Sequence, residues 1–429
     1  MATYACRSKE ELRVEAKKMI ARYGELLHKE LKLDMSRGKP SPEQLGTMSR
    51  LLTAVIRNDE CFSETGTDCR NYGGLDGINE MKRLFGEILN VPMEQVIVGG
   101  NSSLNLMYDT IARAMFHGVA DDCKPWGKYE QISFLCPVPG YDRHFAICEF
   151  FGINMINVPL LEDGPDMDIV EKLVAEDDTI KGIWCVPKYA NPSGITYSPE
   201  VVERFAKLKP AAKDFRVFWD NAYVLHDLTE TPDHLVEIFS EARKYGNEDL
   251  FIEFTSTSKI TYSGAGISCM ASSPRNIARI LEELKVQTIG HDKLNQLRHS
   301  RVFRNLEDVK AHMKVHQSII QPKFQLLYRV FDQELSKVEG VHWTKPNGGY
   351  FICMTLPKGC AKRVVELAKE AGLVLTGAGA PFPYGNDPED SILRIAPTYP
   401  SLNELAEAAP LLCCCVKLAI LENEQNAQK

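Results

Sequence analysis

The sequence has no uninterrupted apolar stretch of about 18 residues, so no membrane-spanning helix is expected. Its opening, MATYACRSKEELRVEAKKMI, is charged and lacks the apolar segment of a secretory signal, which makes a cytoplasmic location the expectation. Positive charge is scarce. Lys and Arg number 50 against 58 Asp and Glu, giving a formal net charge of −8 and a pI near 5.8. Without a basic face, nucleic acid and anionic membranes are not expected partners, although a local cluster of donors can still hold a small anion. Paired cysteines are missing as well. The thirteen cysteines, from Cys6 to Cys415, are odd in number and none has CxxC spacing, so neither a disulfide framework nor a zinc site is indicated. The run Cys413–Cys415 falls in a helical pattern, where reduced cysteine serves as a small apolar residue. There is no internal repeat, and no low-complexity tract beyond a polar tail at 422–429.

What is present is a chain of 429 residues, 44% apolar and 25% charged, long enough that two units are expected. Leu12, Ala16, Ile20, Tyr23 and Leu27 recur at helical spacing within 8–30, and LDMSRGKPSPEQL follows as an extended, turn-rich segment. Residues 77–90 read as a helix, and QVIVGGNSS as a strand leading through a turn to a helix near Leu104. Five further runs (QISFLCP, INMINVPL, IKGIWCVP, FRVFWD and LFIEFTS) have the β-rich character of buried strands. Helical segments at 166–176, 199–212 and 234–245 separate several of them, which predicts a mostly parallel sheet covered on both faces. Beyond residue 300 the pattern changes to a long helix over 305–338, short strands, a helix near 361–371 and a last helix over 402–422. The division expected is a large α/β unit over 50–304 and a smaller α+β unit built from 1–49 and 305–429.

Five short segments carry chemistry. In FTSTSKITYSGAGIS, Lys259 is the one charged residue between Thr255 and Arg275. Such a setting desolvates an amine, lowers its pKa and makes it nucleophilic toward a carbonyl. Ser256 and Ser258 flank it as hydrogen-bond donors suited to a phosphate. In VFWDNAYVLHDL, Asp220 ends an apolar strand, the position from which a carboxylate faces the ligand crevice of a parallel sheet, and Tyr223 lies three residues on. In WCVPKYANPSGITYS, Asn191 before a proline and Gly194 mark a turn that can present an amide. In VIVGGNSSLN, the turn through Asn101, Ser102 and Ser103 into a helix gathers N–H groups and hydroxyls fit for a phosphate. In SILRIAPTY, Arg394 sits in an apolar strand and needs a carboxylate, either a substrate's or the protein's own. Taken singly, each has a plain structural reading: a solvated lysine, a helix cap, a turn, an internal ion pair.

Together, in this order and at these separations, the segments resemble the fold-type I pyridoxal 5′-phosphate (PLP) aminotransferases of class I/II. SRGKPS, NYGGLDG, PVPGYDRHF, KYANPSGITYS and STSKITYSGAGIS are most similar to aspartate aminotransferase subgroup 1c, a branch that includes MocR-like aminotransferases. The resemblance spans nearly the whole chain. It implies a mostly parallel, seven-stranded-type sheet in the large unit, and transfer of an amino group from an amino acid to a 2-oxo acid by a ping-pong route. It also implies residue roles. Lys259 would hold the cofactor covalently and move a proton, and Asp220 would pair with the pyridine nitrogen. Asn191 and Tyr223 would reach the phenolic oxygen, while Asn101, Ser102, Ser103, Ser256 and Ser258 would take the phosphate. Tyr72 would reach the phosphate of a neighbouring subunit, making the active unit a homodimer with shared sites, and Arg394 would bind the α-carboxylate.

Two positions depart from the family pattern. Gly266 and Ile267 stand where most relatives carry a phosphate-binding arginine, and Val138 replaces the ring-stacking aromatic, leaving Tyr141 as the candidate for that contact. Subgroup 1c implies aspartate or glutamate as donor and 2-oxoglutarate as acceptor. A second carboxylate then needs a second cation, for which Arg143 is the first choice and Arg37, Lys39, Lys128 and Arg298 the others, with Gly38 and Ser41 beside them. The alternatives are an aromatic or branched-chain aminotransferase, a β-lyase, an enzyme like aminocyclopropane-carboxylate synthase (to which GYDRHF is also similar), or a non-catalytic PLP-binding regulator. No metal is expected.

Overall fold

A computed structural model describes residues 8–427; Cys6 and the last two residues of the polar tail lie outside them. Eight strands form one sheet in the order Val96–Val98, Ser268–Ser272, Phe251–Ser256, Arg216–Asp220, Ile180–Cys185, Ser133–Val138, Asn154–Leu161, Gly164–Pro165. The five from Phe251–Ser256 to Asn154–Leu161 are mutually parallel; Ser268–Ser272 runs antiparallel to both of its neighbours. This is the expected seven-stranded sheet, with the two-residue Gly164–Pro165 strand added at one edge. The central strands are apolar because helices cover both faces: every residue of Ile180–Cys185, Arg216–Asp220 and Phe251–Ser256 is buried.

Helices at Lys9–Leu27, Asn79–Leu89, Ser103–His117, Met167–Glu176, Leu306–Glu334, Ala361–Glu370 and Leu402–Ala427 match the expected segments closely. Two expected helices are shorter. The one after Ser198 stops at Ala206, ahead of Pro210, which has no N–H to continue the ladder. The one expected from 234 begins only at Ile238, where the Glu237 carboxylate accepts the N–H groups of Phe239 and Ser240. Asp142–Phe151, Pro274–Gln287 and Lys293–Val302 are further helices, and the first of them proves central to the site.

The rest of the chain forms a three-stranded antiparallel sheet, His342–Trp343, Ile352–Thr355 and Ile392–Ile395, packed against long helices. The N-terminal segment is laced into it. Leu33–Asp34 pairs with Leu373–Val374, and Met35 N–H donates to Val374 O at 2.9 Å while Met35 O accepts from Ala396 N–H at 3.2 Å. Thr398 Oγ1 then donates to Lys39 O at 3.0 Å. The Cys413–Cys415 run is fully buried in the final helix, and all described cysteines are free, so the run is core packing. Among the described residues there is no cluster fit to hold a metal ion, and no helix is long and apolar enough to cross a membrane.

Candidate active site

The parallel strands end at one edge of the sheet, and a cleft of about 420 Å³ opens there. Asp220 and Ser256 are the last residues of adjacent strands, so their side chains enter it from the sheet itself. Lys259 follows in a tight turn, in which Ile260 N–H and Thr261 N–H both return to Thr257 O at 2.9 and 2.8 Å. Its ammonium lies 5.0 Å from the centroid of the Tyr223 ring. Burial lowers the Lys259 pKa from the usual amine range, and the nearby Asp220 charge opposes that shift. The turn is braced from behind: Tyr350 Oη donates to Lys259 O at 3.3 Å, His312 Nε2 lies 2.8 Å from Ile260 O, and Gln44 Nε2 donates to Tyr350 Oη at 2.9 Å.

Asp220 has a partner that the sequence reading did not single out. His144 Nε2 lies 2.9 Å from Asp220 Oδ2, with both side chains almost fully buried. The imidazole stacks on Trp184, with ring centroids 4.4 Å apart and planes at 8°, while Tyr141 meets its edge at 4.9 Å. His144 was legible only if GYDRHF were taken as the start of a helix, which puts it one turn in and facing the sheet. Burial, reinforced by the Asp220 charge, pushes the Tyr141 phenol up to about 12.

A group of hydroxyls lines the same cleft as Asp220. Ser102 caps the Ser103–His117 helix by accepting from Leu104 N–H at 3.2 Å, and Ser103 opens the helix. Ser256 Oγ donates to Ser258 Oγ at 3.0 Å, and Ser258 Oγ in turn to Asn101 O at 3.1 Å. Ser263, not anticipated from sequence, also lines the cleft, its Oγ bound to Ser258 O at 2.7 Å. Ile267 is buried, its backbone paired with Thr257, so nothing at the position of the missing arginine faces the cradle. The cleft is instead lined by the cations Arg37, Lys39, Arg143, Lys259 and Arg394.

Arg394 combines the two readings open to it. Its Nη1 donates to Asp142 Oδ1 at 2.7 Å and its Nε to Thr376 Oγ1 at 3.3 Å, yet it also lines the cleft beside Phe351. Arg143 and Arg37 are exposed and form no ion pair among the described residues, whereas Lys39 lies over the Tyr399 ring at 3.8 Å. Gly38 lines the mouth because nothing larger fits: a Cβ there would fall 2.4 Å from the Phe351 ring.

Several expected residues are not brought into the cleft. Lys128 is exposed in the short turn Trp126–Lys128, which precedes the Ser133–Val138 strand at the edge of the sheet remote from Asp220, so it cannot read a substrate in this chain's cleft. Arg298 sits half-buried on the Lys293–Val302 helix, its Nε enclosed without a partner, and does not line the cleft either. Ser41 is buried as a helix cap, accepting from Gln44 N–H at 3.4 Å. Asn101 reaches the cradle only through its backbone; its side chain turns to Gly264 O at 3.4 Å. Tyr72 is 82% exposed and outside this chain's cleft.

Comparison with known proteins places this geometry. The family model described as aspartate amino-transferase matches residues 7–428. The chain belongs to the aspartate aminotransferase family. It is 45% identical over 405 residues to the aspartate aminotransferase of Corynebacterium glutamicum, covering 94% of this chain and 93% of that one. The crystal structure of an aspartate transaminase from C. glutamicum superposes with a TM-score of 0.96 at 43% identity, over 99% of each chain. The α-aminoadipate aminotransferase of Thermus thermophilus, complexed with N-(5′-phosphopyridoxyl)-L-leucine, shares the fold at a TM-score of 0.74 and 20% identity, covering 93% of this chain and 95% of that one.

This aminotransferase is thus a fold-type I enzyme, and its cofactor is pyridoxal 5′-phosphate. The residues present fit that group. Asp220 Oδ1 and Asn191 Oδ1 are enclosed with no hydrogen-bond partner among the described residues, although buried polar atoms are ordinarily satisfied, and both residues line the cleft that the serines also line.

Proposed function

We propose that the aminotransferase takes aspartate or glutamate as amino donor and 2-oxoglutarate as acceptor, in a ping-pong sequence. The observation that carries this reading is the pairing, in one cleft, of a desolvated lysine and a buried carboxylate with a separate set of cations at the mouth. When bound, the cofactor supplies an electron sink for the substrate Cα. The chain's own residues do the rest. Lys259 holds the cofactor and carries the proton to and from the substrate, a task favoured by an amine that is easily deprotonated. His144 keeps Asp220 oriented toward the ring nitrogen. Asn191 and Tyr223 would reach the phenolic oxygen, and Ser102, Ser103, Ser256, Ser258 and the Asn101 backbone would hold the phosphate, with Tyr141 against the ring.

Arg394 binds the substrate α-carboxylate in this reading, with Asp142 fixing its fork. Arg143 reads the distal carboxylate, because it is an unpaired cation lining the same cleft. The active unit is a homodimer in which the exposed Tyr72 serves the partner's phosphate site. The large unit is taken as 50–304 and the small one as 1–49 with 305–429, a division supported by an apolar cluster drawn largely from residues before 36 and after 319. Free cysteines accord with a cytoplasmic setting.

The test uses purified holoenzyme. Aspartate should discharge the visible absorbance of the bound cofactor without releasing ammonia, and 2-oxoglutarate should restore it. Lys259→Ala should lose that absorbance and all turnover. Ammonia release, or full activity in the variant, would overturn the reading.

A further inference from the structure

A second and larger cleft, about 910 Å³, lies at the other edge of the sheet, between the C-terminal end of the Ser103–His117 helix and the Pro274–Gln287 helix. Arg216 lines it. This arginine begins the strand that Asp220 ends, so the two clefts are joined by one five-residue element. Arg216 is only 5% exposed, and its guanidinium meets backbone carbonyls alone: Nη1 donates to Phe215 O at 2.8 Å and Nη2 to Val119 O at 3.4 Å.

Every other charged side chain lining this cleft has an opposite partner. Arg113 pairs with Glu283 at 3.4 Å and Arg275 with Asp249 at 3.5 Å. Arg279 pairs with Asp121 and Glu283, and Glu282 with Lys285 at 2.6 Å. Asp214, the remaining carboxylate near Arg216, is taken by Lys181 at 2.7 Å. Arg216 is therefore the one charged side chain on this lining without a direct ion pair among the described residues, Asp249 and Asp214 acting on it only from a longer range. A buried ion with no counter-charge in direct contact is costly to desolvate, and a guanidinium has five N–H donors in a planar fork, of which carbonyls here take two. An incoming anion would relieve that cost. The carboxylates already on the walls oppose a second negative charge, and Val119, Ala278 and Val286 make part of the lining apolar.

We propose that this rear cleft binds a small organic monoanion, its carboxylate held by Arg216 and its apolar part against Val119, Ala278 and Val286. The proposal does not depend on the substrate assigned to the front cleft. It is tested by calorimetric titration of sodium butyrate, and separately of inorganic phosphate, into holoenzyme carrying Arg394→Ala, which removes the front carboxylate site. One butyrate site per chain is expected, with phosphate weaker. Adding Arg216→Met should weaken butyrate at least tenfold. If that variant fails to fold, Val286→Glu serves instead, since its side chain is 93% exposed and the new carboxylate at the cleft repels the anion; a loss of several-fold is expected. Absence of binding, affinity unchanged by either variant, or tighter binding of phosphate would overturn the proposal.

Discussion

His144 Nε2 and Asp220 Oδ2 stand 2.9 Å apart in a pocket that excludes water from both, with Trp184 stacked on the imidazole. A hydrogen bond to a charged group is worth about 1.5–3 kcal/mol, roughly one to two orders of magnitude in rate. His144→Phe keeps the stacking and removes the bond. Steady-state kinetics should then show kcat lowered about 10- to 100-fold with KM for the donor little changed. A kcat within twofold of the parent enzyme would mean that Asp220 needs no partner.

Arg143 offers a direct reading of specificity. In Arg143→Ala the KM for aspartate should rise about 10- to 100-fold, while KM for a neutral amino acid such as alanine stays put, since only the first has a distal carboxylate to lose. Parallel changes for both donors would assign Arg143 to general binding instead.

Gly38 tests the fit of the mouth. Its missing Cβ would lie 2.4 Å from the Phe351 ring, and Phe351 in turn packs under Arg394. Gly38→Ala must push the ring, at about 1–3 kcal/mol for an overpacked contact. The expected outcome is a KM raised about tenfold for every donor, with the cofactor spectrum unchanged. An unaltered KM would show that the segment yields freely.

Glu253 gives a pH dependence with a definite sign. It is buried beside Asn221, whose Nδ2 donates to its Oε1 at 2.8 Å, and burial raises its pKa to about 8. The folded protein therefore holds a proton that the unfolded chain releases near pH 4.5. Its contribution to stability is complete below pH 4.5, declines as pH rises and is gone above about 8. Urea midpoints measured from pH 5 to 9 should fall for the parent chain and fall less for Glu253→Gln, which keeps the acceptor but cannot ionise. Equal slopes would place the proton elsewhere.

The sheet was legible in the sequence because fully buried parallel strands leave short, near-continuous apolar runs, such as IKGIWC and RVFWD, that few other structures require. The cleft's floor was legible for a related reason. Lys259 is a charge set in an otherwise uncharged stretch and Asp220 closes an apolar strand, and those contrasts survive in a linear reading. The Asp142–Phe151 helix was harder to see. Besides the buried Phe145, Ile147 and Cys148 it carries an exposed Phe150, so no clean stripe marks it, and His144 went unremarked with it. Lys128 precedes the Ser133–Val138 strand and so falls at that strand's N-terminal end, away from the cleft at the C-terminal ends. Gln44, Tyr350 and His312, which brace the lysine turn, come from three distant segments joined only by tertiary packing.

The lacing of residues 33–39 between Leu373–Val374 and the Ile392–Ile395 strand has a consequence for how the enzyme comes into being. On the ribosome, the segment bearing Arg37 and Lys39 emerges more than 300 residues ahead of its partners at 373–398 and must wait for them before its wall of the cleft can form. A nascent or prematurely terminated polypeptide, even one with the whole large sheet in place, would offer Lys259 to solvent through an unfinished rim. The wall of the cleft that bears Arg37 and Lys39 thus waits on residues 373–398.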